Sequence, residues 1–373
     1  MNIPLTPVRC LYRAVDLYGP KVGVISGDLR FTYAQFGERC ERLAYGLKEA
    51  GVQQGDRIAF LSFNTHQLLE GYYGPILIGA VAMPLNVRLT QMELTGILNH
   101  AQASVLVFEP EFAPMIEAFR ESCPSIRLYV AADASYEELL SQGRVERPDI
   151  FSFDEDEMAE LFYTSGSTGT PKGVMLSHRT LYLHAISTGN SLRDEETSVI
   201  LHTIPLFHAN GWGKPQSATM MGCTQVMVRR FDPLKVLELI ERERATMMLL
   251  VPVMANALLN CAELGKYDVS SMQEVQLGGA ASSPELIKRL EAAFHCAVYT
   301  GYGLTETAPI ATLARLKNLR PYQTDSERHE ASAMAGLPAV GNEIRVVDAS
   351  GVRVPQDMQT VGEVVVRGDN VMD

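Results

Sequence analysis

Tryptophan is nearly missing from this sequence, with 1 in 373 residues, and its 6 cysteines are scattered without a C-x-x-C pair. That spacing fits reduced, buried thiols in a cytoplasmic chain and argues against a disulfide framework or a zinc site. Basic charge is short too: 32 Lys and Arg against 44 Asp and Glu leave a formal charge of -12. No global basic field is available to attract nucleic acid or an anionic membrane, so an anionic ligand must be gripped locally. Long apolar runs are also lacking. The charge-free stretches 71–87 and 246–262 are broken by Pro, Asn or Gly, and neither reads as a membrane span. Residues 1–9 hold two prolines and no apolar signal stretch, so nothing there points to secretion.

What is present is a packed α/β pattern. Hydrophobic residues make up 46% and charged residues 20%, which excludes a disordered or fibrous chain. Thr32 and Gln35 form a T-x-x-Q capping box ahead of Phe36, Cys40, Leu43, Ala44 and Leu47 at helical spacing, until Gly51 ends the run. An apolar strand is expected at 57–62, a buried helix at 67–77 and a strand at 80–84. A second box, Thr90 and Glu93, opens a helix to His100 before a strand at 104–108. Further strands are expected at 198–203, 224–228, 247–251, 274–277 and 297–300, with Asp232-Pro233 and Ser283-Pro284 as helix starts. This alternation favours parallel strands covered by helices. After about Met334, the β-rich runs 342–348 and 363–367 replace the helical signals. An α/β body of about 1–333 is therefore expected to precede a β-rich subdomain of about 334–373, with the polar stretch 317–331 as a surface excursion between them.

Four segments carry chemistry. Between the strand 161–163 and the next helix, Thr164, Ser165, Gly166, Ser167, Thr168, Gly169, Thr170, Pro171, Lys172 and Gly173 supply five hydroxyls, three glycines and a lysine. Glycines let backbone N–H groups approach, hydroxyls donate and Lys adds a point charge, so the run suits a polyphosphate. A flexible linker has similar composition, but this run is wedged between apolar elements and lacks Walker A spacing. A second cluster, Thr300, Gly301, Tyr302, Gly303, Leu304, Thr305 and Glu306, follows a strand, where α/β sheets collect ligands. Tyr302 offers an open aromatic face, and Thr305 and Glu306 offer hard oxygens that suit Mg²⁺. A tight turn with a capping Thr is the plain alternative. The third segment runs from Pro205 to Trp212 through Phe207, His208, Ala209 and Asn210, and the fourth is Gly278, Gly279, Ala280 and Ala281. A lone Trp is more often core and a lone His more often structural, yet this Trp lies in a Gly/Asn/His loop rather than on a periodic face.

In this order and spacing, the four segments make the chain similar to the AMP-forming acyl- and aryl-CoA synthetase family, relatives of firefly luciferase and peptide-synthetase adenylation domains. Residues 81–86, 88–90 and 362–368 match it as well. The resemblance covers about Thr32 to Asp373 and is most like medium- and long-chain fatty acid ligases. It implies a layered αβαβα body of two mostly parallel sheets plus a smaller distorted barrel-like β subdomain. It also implies a two-step activity. A carboxylic acid and MgATP give an acyl-adenylate and pyrophosphate, then coenzyme A displaces AMP. Thr164, Lys172 and Glu306 would be catalytic, with Thr164 and Glu306 on the metal. Thr164, Ser165, Gly166, Ser167, Thr168, Gly169 and Lys172 would close on the phosphates, while Gly279, Ala280, Thr300, Gly301, Tyr302, Gly303 and Thr305 form the nucleotide pocket. His208, Ala209, Trp212, Gly278 and Gly279 would line the acid pocket, with Trp212 gating the acyl tunnel.

Two departures qualify the match. Thr300 stands where relatives carry Gln or Asn, and the chain ends before the mobile C-terminal domain whose lysine grips the reacting carboxylate. By resemblance, this is the large N-terminal domain and is expected to turn over almost no substrate alone. A homodimer is a common family outcome. Since His208 follows Phe207 where peptide-synthetase domains place Asp, an α-amino acid is disfavoured and a simple aliphatic acid is expected, aryl acids remaining open. The alternatives are a non-catalytic nucleotide- or adenylate-binding module, and adenylate transfer to an acceptor other than coenzyme A.

Overall fold

The computed structural model describes residues 2–164, 171–317, 322–357 and 359–372. Both capping boxes form. Thr32 accepts from the Gln35 backbone N–H while the Gln35 side chain accepts from Thr32, opening helix Tyr33–Glu49, and Thr90 and Glu93 do the same for helix Gln91–Ala101. The first helix buries Phe36, Cys40, Leu43, Ala44 and Leu47, the stripe its spacing predicts.

Strands Arg57–Leu61, Val81–Pro84, Val105–Phe108, Leu128–Ala131 and Met158–Thr164 lie parallel in one sheet, with Lys172–Ser177 antiparallel at its edge beside Met158–Thr164. The expected helix at 67–77 is instead two short helices, His66–Gly71 and Gly74–Leu77. Pro75 explains the break, because it restarts a helix at its first turn but cannot continue one.

The second sheet has Val22–Ser26, Thr224–Met227, Val199–His202, Met247–Leu250, Glu274–Leu277 and Ala297–Gly303 in parallel succession, extended by antiparallel strands at both edges. Asp232 and Ser283 cap helices Pro233–Glu243 and Pro284–Phe294 as expected. The strand expected at 297–300 runs on to Gly303, because Gly301, Tyr302 and Gly303 pair antiparallel with Leu313, Thr312 and Ile310.

Two further differences matter. The hydroxyl-rich loop leads into a strand rather than a helix: Thr164 pairs with Lys172, and Val174 and Leu176 are buried while Met175 is exposed, a period of two. The stretch expected as an excursion contains helix Asp325–Ala333, whose Arg328 and His329 bond Glu291 of helix Pro284–Phe294 at 2.7 and 3.0 Å. Beyond it, Asn342–Val347 and Glu363–Gly368 form an antiparallel ribbon. Among the described residues, no helix is long and apolar enough to cross a membrane.

Candidate functional site

The carboxyl ends of Met158–Thr164, Glu274–Leu277 and Ala297–Gly303 open onto one cleft of about 360 Å³. Glu274–Leu277 and Ala297–Gly303 are parallel neighbours in the second sheet, so the segments after them emerge on one side, and Met158–Thr164 brings the edge of the first sheet to the same opening. Thr164, His208, Ala209, Trp212, Gly278, Gly279, Gly301, Tyr302, Gly303, Thr305 and Glu306 all line it. Residues distant in sequence and expected to act together therefore share one wall system.

Backbone shape is tightly specified around this cleft. A Cβ at Gly303 would lie 1.8 Å from the Pro309 carbonyl oxygen, and one at Gly278 would lie 2.9 Å from the Trp212 ring. Glycine at 278 thus lets the indole lie directly against the strand end. Trp212 is 9% exposed and sits in an unbroken run of positive φ from Ala209 to Gly213. Tyr302, in contrast, is 38% exposed and keeps an accessible ring. Thr305, Glu306 and Thr307 form a short turn whose Thr307 hydroxyl accepts from the Leu304 N–H at 3.0 Å and donates to the Pro309 carbonyl at 2.7 Å. The chain returns here near its end, with the Met372 N–H donating to the Glu306 carbonyl at 2.9 Å. His208 stands at the rim, where desolvation by the surrounding protein and then the Arg88 charge hold its imidazole below the ordinary value.

Three expected residues lie off the cleft wall. Thr300 is buried and its hydroxyl donates to the Met334 carbonyl, so it is turned away from a ligand. Ala280 is exposed next to Gly279, and Lys172 is exposed across the hairpin from Thr164. Ser165, Gly166, Ser167, Thr168 and Gly169 lie outside the described residues.

The cleft also contains Leu304 of the second cluster and residues not anticipated from sequence: Gln276, Pro309 and Ile310. Gln276 is buried, and its Oε1 has no hydrogen-bond partner. A polar side chain between Val275 and Leu277, just before two glycines, is the sequence signal that would have found it. No group of three His, Cys, Asp or Glu side chains gathers among the described residues, so there is no self-contained metal cage. A Mg²⁺ shared with phosphates needs only one or two protein oxygens, and the Thr164 hydroxyl and Glu306 carboxylate in one cleft fit that requirement.

Comparison with known proteins gives one answer at every level. The AMP-binding enzyme family matches residues 11–373. A long-chain-fatty-acid–CoA ligase of Thermus thermophilus is 36% identical over 96% of this chain and 68% of its own length. A 4-hydroxybutyrate–CoA ligase of Metallosphaera sedula is 32% identical over 98% of the chain and 69% of its own. The crystal structure of the N-terminal domain of FACL13 from Mycobacterium tuberculosis superposes with a TM-score of 0.88 at 27% identity, covering 98% of this chain and 90% of that one.

Proposed function

The chain belongs to the AMP-binding enzyme family, and on that premise we propose that its cleft activates a simple aliphatic carboxylic acid with ATP for transfer to coenzyme A. A carboxylate oxygen bonds to the α-phosphorus as the bond to the bridging oxygen of pyrophosphate breaks. The thiolate sulfur then bonds to the acyl carbon and AMP leaves, the thiol proton passing to solvent. The observation that carries this reading is the meeting of Thr164, Tyr302, Thr305 and Glu306 with Trp212 and Gly278 in one cleft. It provides an aromatic face for adenine, oxygens for a metal and phosphates, and an apolar wall for the acyl chain.

In this reading, Tyr302 stacks on the base, Thr164 and Thr305 donate to phosphate oxygens, and Lys172 adds positive charge for the outer phosphates. Glu306 and Thr164 hold Mg²⁺, which when bound neutralises phosphate charge. Fixed donors aimed at the α-phosphate need no reorganisation as charge develops there. The Trp212 indole and Gly278 exclude water from the acyl side. We place this reaction in a reducing compartment such as the cytoplasm, a reading that the six free cysteines, four of them buried, support.

Gln276 favours a second, narrower reading. Its unpartnered buried oxygen on the cleft wall suits an acid bearing a hydroxyl, and one relative ligates 4-hydroxybutyrate. A panel of straight-chain, hydroxylated, branched and aryl acids, assayed for acyl-AMP and acyl-CoA with the native full-length protein, tests both. Adenylation confined to aliphatic acids supports the main reading, and a preference for hydroxylated ones supports the narrower. Activity only with amino or aryl acids contradicts both.

A further inference from the structure

Glu160 is the most deeply placed carboxyl near the cleft, fully buried in strand Met158–Thr164 among Ala159, Leu161 and Phe162. Among the described residues, its polar partners are two amides and no cation. Asn210 Nδ2 donates to its Oε1 and Oε2 at 3.1 and 2.9 Å, and Gln216 Nε2 donates to Oε1 at 2.6 Å. Asn210 Nδ2 also donates to Gln216 Oε1 at 3.1 Å, whereas Asn210 Oδ1 is buried without a partner. The Asn210 side chain is thus held through its amide nitrogen alone. A leucine would fill this core position at less desolvation cost, so the carboxyl must serve geometry rather than packing.

The geometry it serves is unusual. Ala209, Asn210, Gly211, Trp212 and Gly213 all have positive φ, from 40° to 72°. L-residues avoid the left-handed region, and only a surrounding structure that over-determines them keeps several there in succession. Asn210 lies inside that run and Gln216 just beyond it, so the Glu160 cluster grips the segment at both ends of Trp212.

We propose that Glu160 is a positioning residue for the acyl pocket: through Asn210 and Gln216 it latches segment 209–213 and so keeps the Trp212 indole against Gly278. The consequence for acid binding rests on the function proposed above; the latch itself does not.

Trp212 is the only tryptophan in the 373 residues, so its emission reads the latch directly. Glu160→Leu removes both carboxyl oxygens. Asn210→Gly removes the latched side chain while leaving a residue at ease in the left-handed region, and it decides the matter should Glu160→Leu fail to fold. Both are expected to red-shift the emission and raise acrylamide quenching, whereas Glu160→Gln, which keeps one acceptor oxygen, retains most of the wild-type spectrum. Unchanged emission and quenching in folded Asn210→Gly overturns the proposal. Binding of a non-hydrolysable acyl-adenylate analogue provides the second readout, with affinity expected to fall in the latch variants while ATP affinity holds. A spectral shift without loss of analogue affinity overturns the positioning role. Failure of the wild-type chain itself to bind the analogue, with the spectral shift intact, would contradict the proposed function and leave the latch standing.

Discussion

At the scale of single residues, charge and space act at different points of the cleft. Glu306 offers the carboxylate charge that a divalent ion senses, so Glu306→Gln should weaken binding of MgATP more than of metal-free ATP. Titrations with and without Mg²⁺ check this, and equal losses would make Glu306 structural. Gly303 acts through space. With the Pro309 carbonyl oxygen 1.8 Å from where its Cβ would sit, Gly303→Ala must displace the Pro309 backbone that the Thr307 hydroxyl of the 305–307 turn holds, at a cost of about 1–3 kcal/mol. Denaturant melts of the variant give that number, and a neutral result would mean the turn is free to move. Gly303 and Glu306 were legible in sequence because they sit in one short cluster after a strand. Glu160 was not, since its partners Asn210 and Gln216 come from another element and only folding brings their amides to it. Thr300 was legible as a neighbour but misassigned, because a side chain's direction along a strand depends on what lies beside it, here the Met334 carbonyl.

At the scale of elements, local chemistry decided most boundaries. The T-x-x-Q box is a reciprocal pair of bonds at the head of helix Tyr33–Glu49, and Thr32→Ala should cost about 1 kcal/mol by leaving an N–H without its side-chain acceptor. Thermal or urea unfolding of that variant measures it, and no change would mean that water replaces the hydroxyl freely. Parallel strands with their capped helices were readable because each signal is complete within a few residues. The hairpin Met158–Thr164 with Lys172–Ser177 was harder to read, because Val174 and Leu176 alternate over too few positions to separate a strand from a helix start. The same limit applies to 67–77, where apolar spacing concealed the stop imposed by Pro75.

At the scale of the whole molecule, buried titratable groups set a pH window. Burial pushes His66, His178 and His202 down to about 4, and burial followed by the Lys214 charge pushes His184 to about 3. Their unfolded values lie near 6.5, so between about pH 6.5 and 4 the unfolded chain binds protons that the native state refuses. Stability must therefore fall as pH drops through that range. Glu160 runs the other way. Burial raises it to about 8 while its amide bonds to Asn210 and Gln216 oppose the rise, so the native state retains a proton that the unfolded chain loses above its ordinary carboxyl value, and stability declines as pH rises toward 8. Burial also raises Glu41 and Glu70, and the four imidazoles outweigh these three carboxyls on the acid side because each imidazole is shifted by burial from about 6.5 to about 4 or below. Melting temperature should accordingly drop steeply from pH 6.5 to 5, and a flat profile there would mean that these histidines are protonated in the folded protein.

The two sheets bring strand ends from opposite parts of the chain to one cleft, and the central claim is that this cleft holds adenylate and acyl chain together. Calorimetric titration of the 373-residue chain with a non-hydrolysable fatty acyl-adenylate analogue tests it most directly. The account predicts saturable one-to-one binding that weakens on both Tyr302→Ala and Trp212→Ala; absence of binding, or binding indifferent to both substitutions, would contradict it.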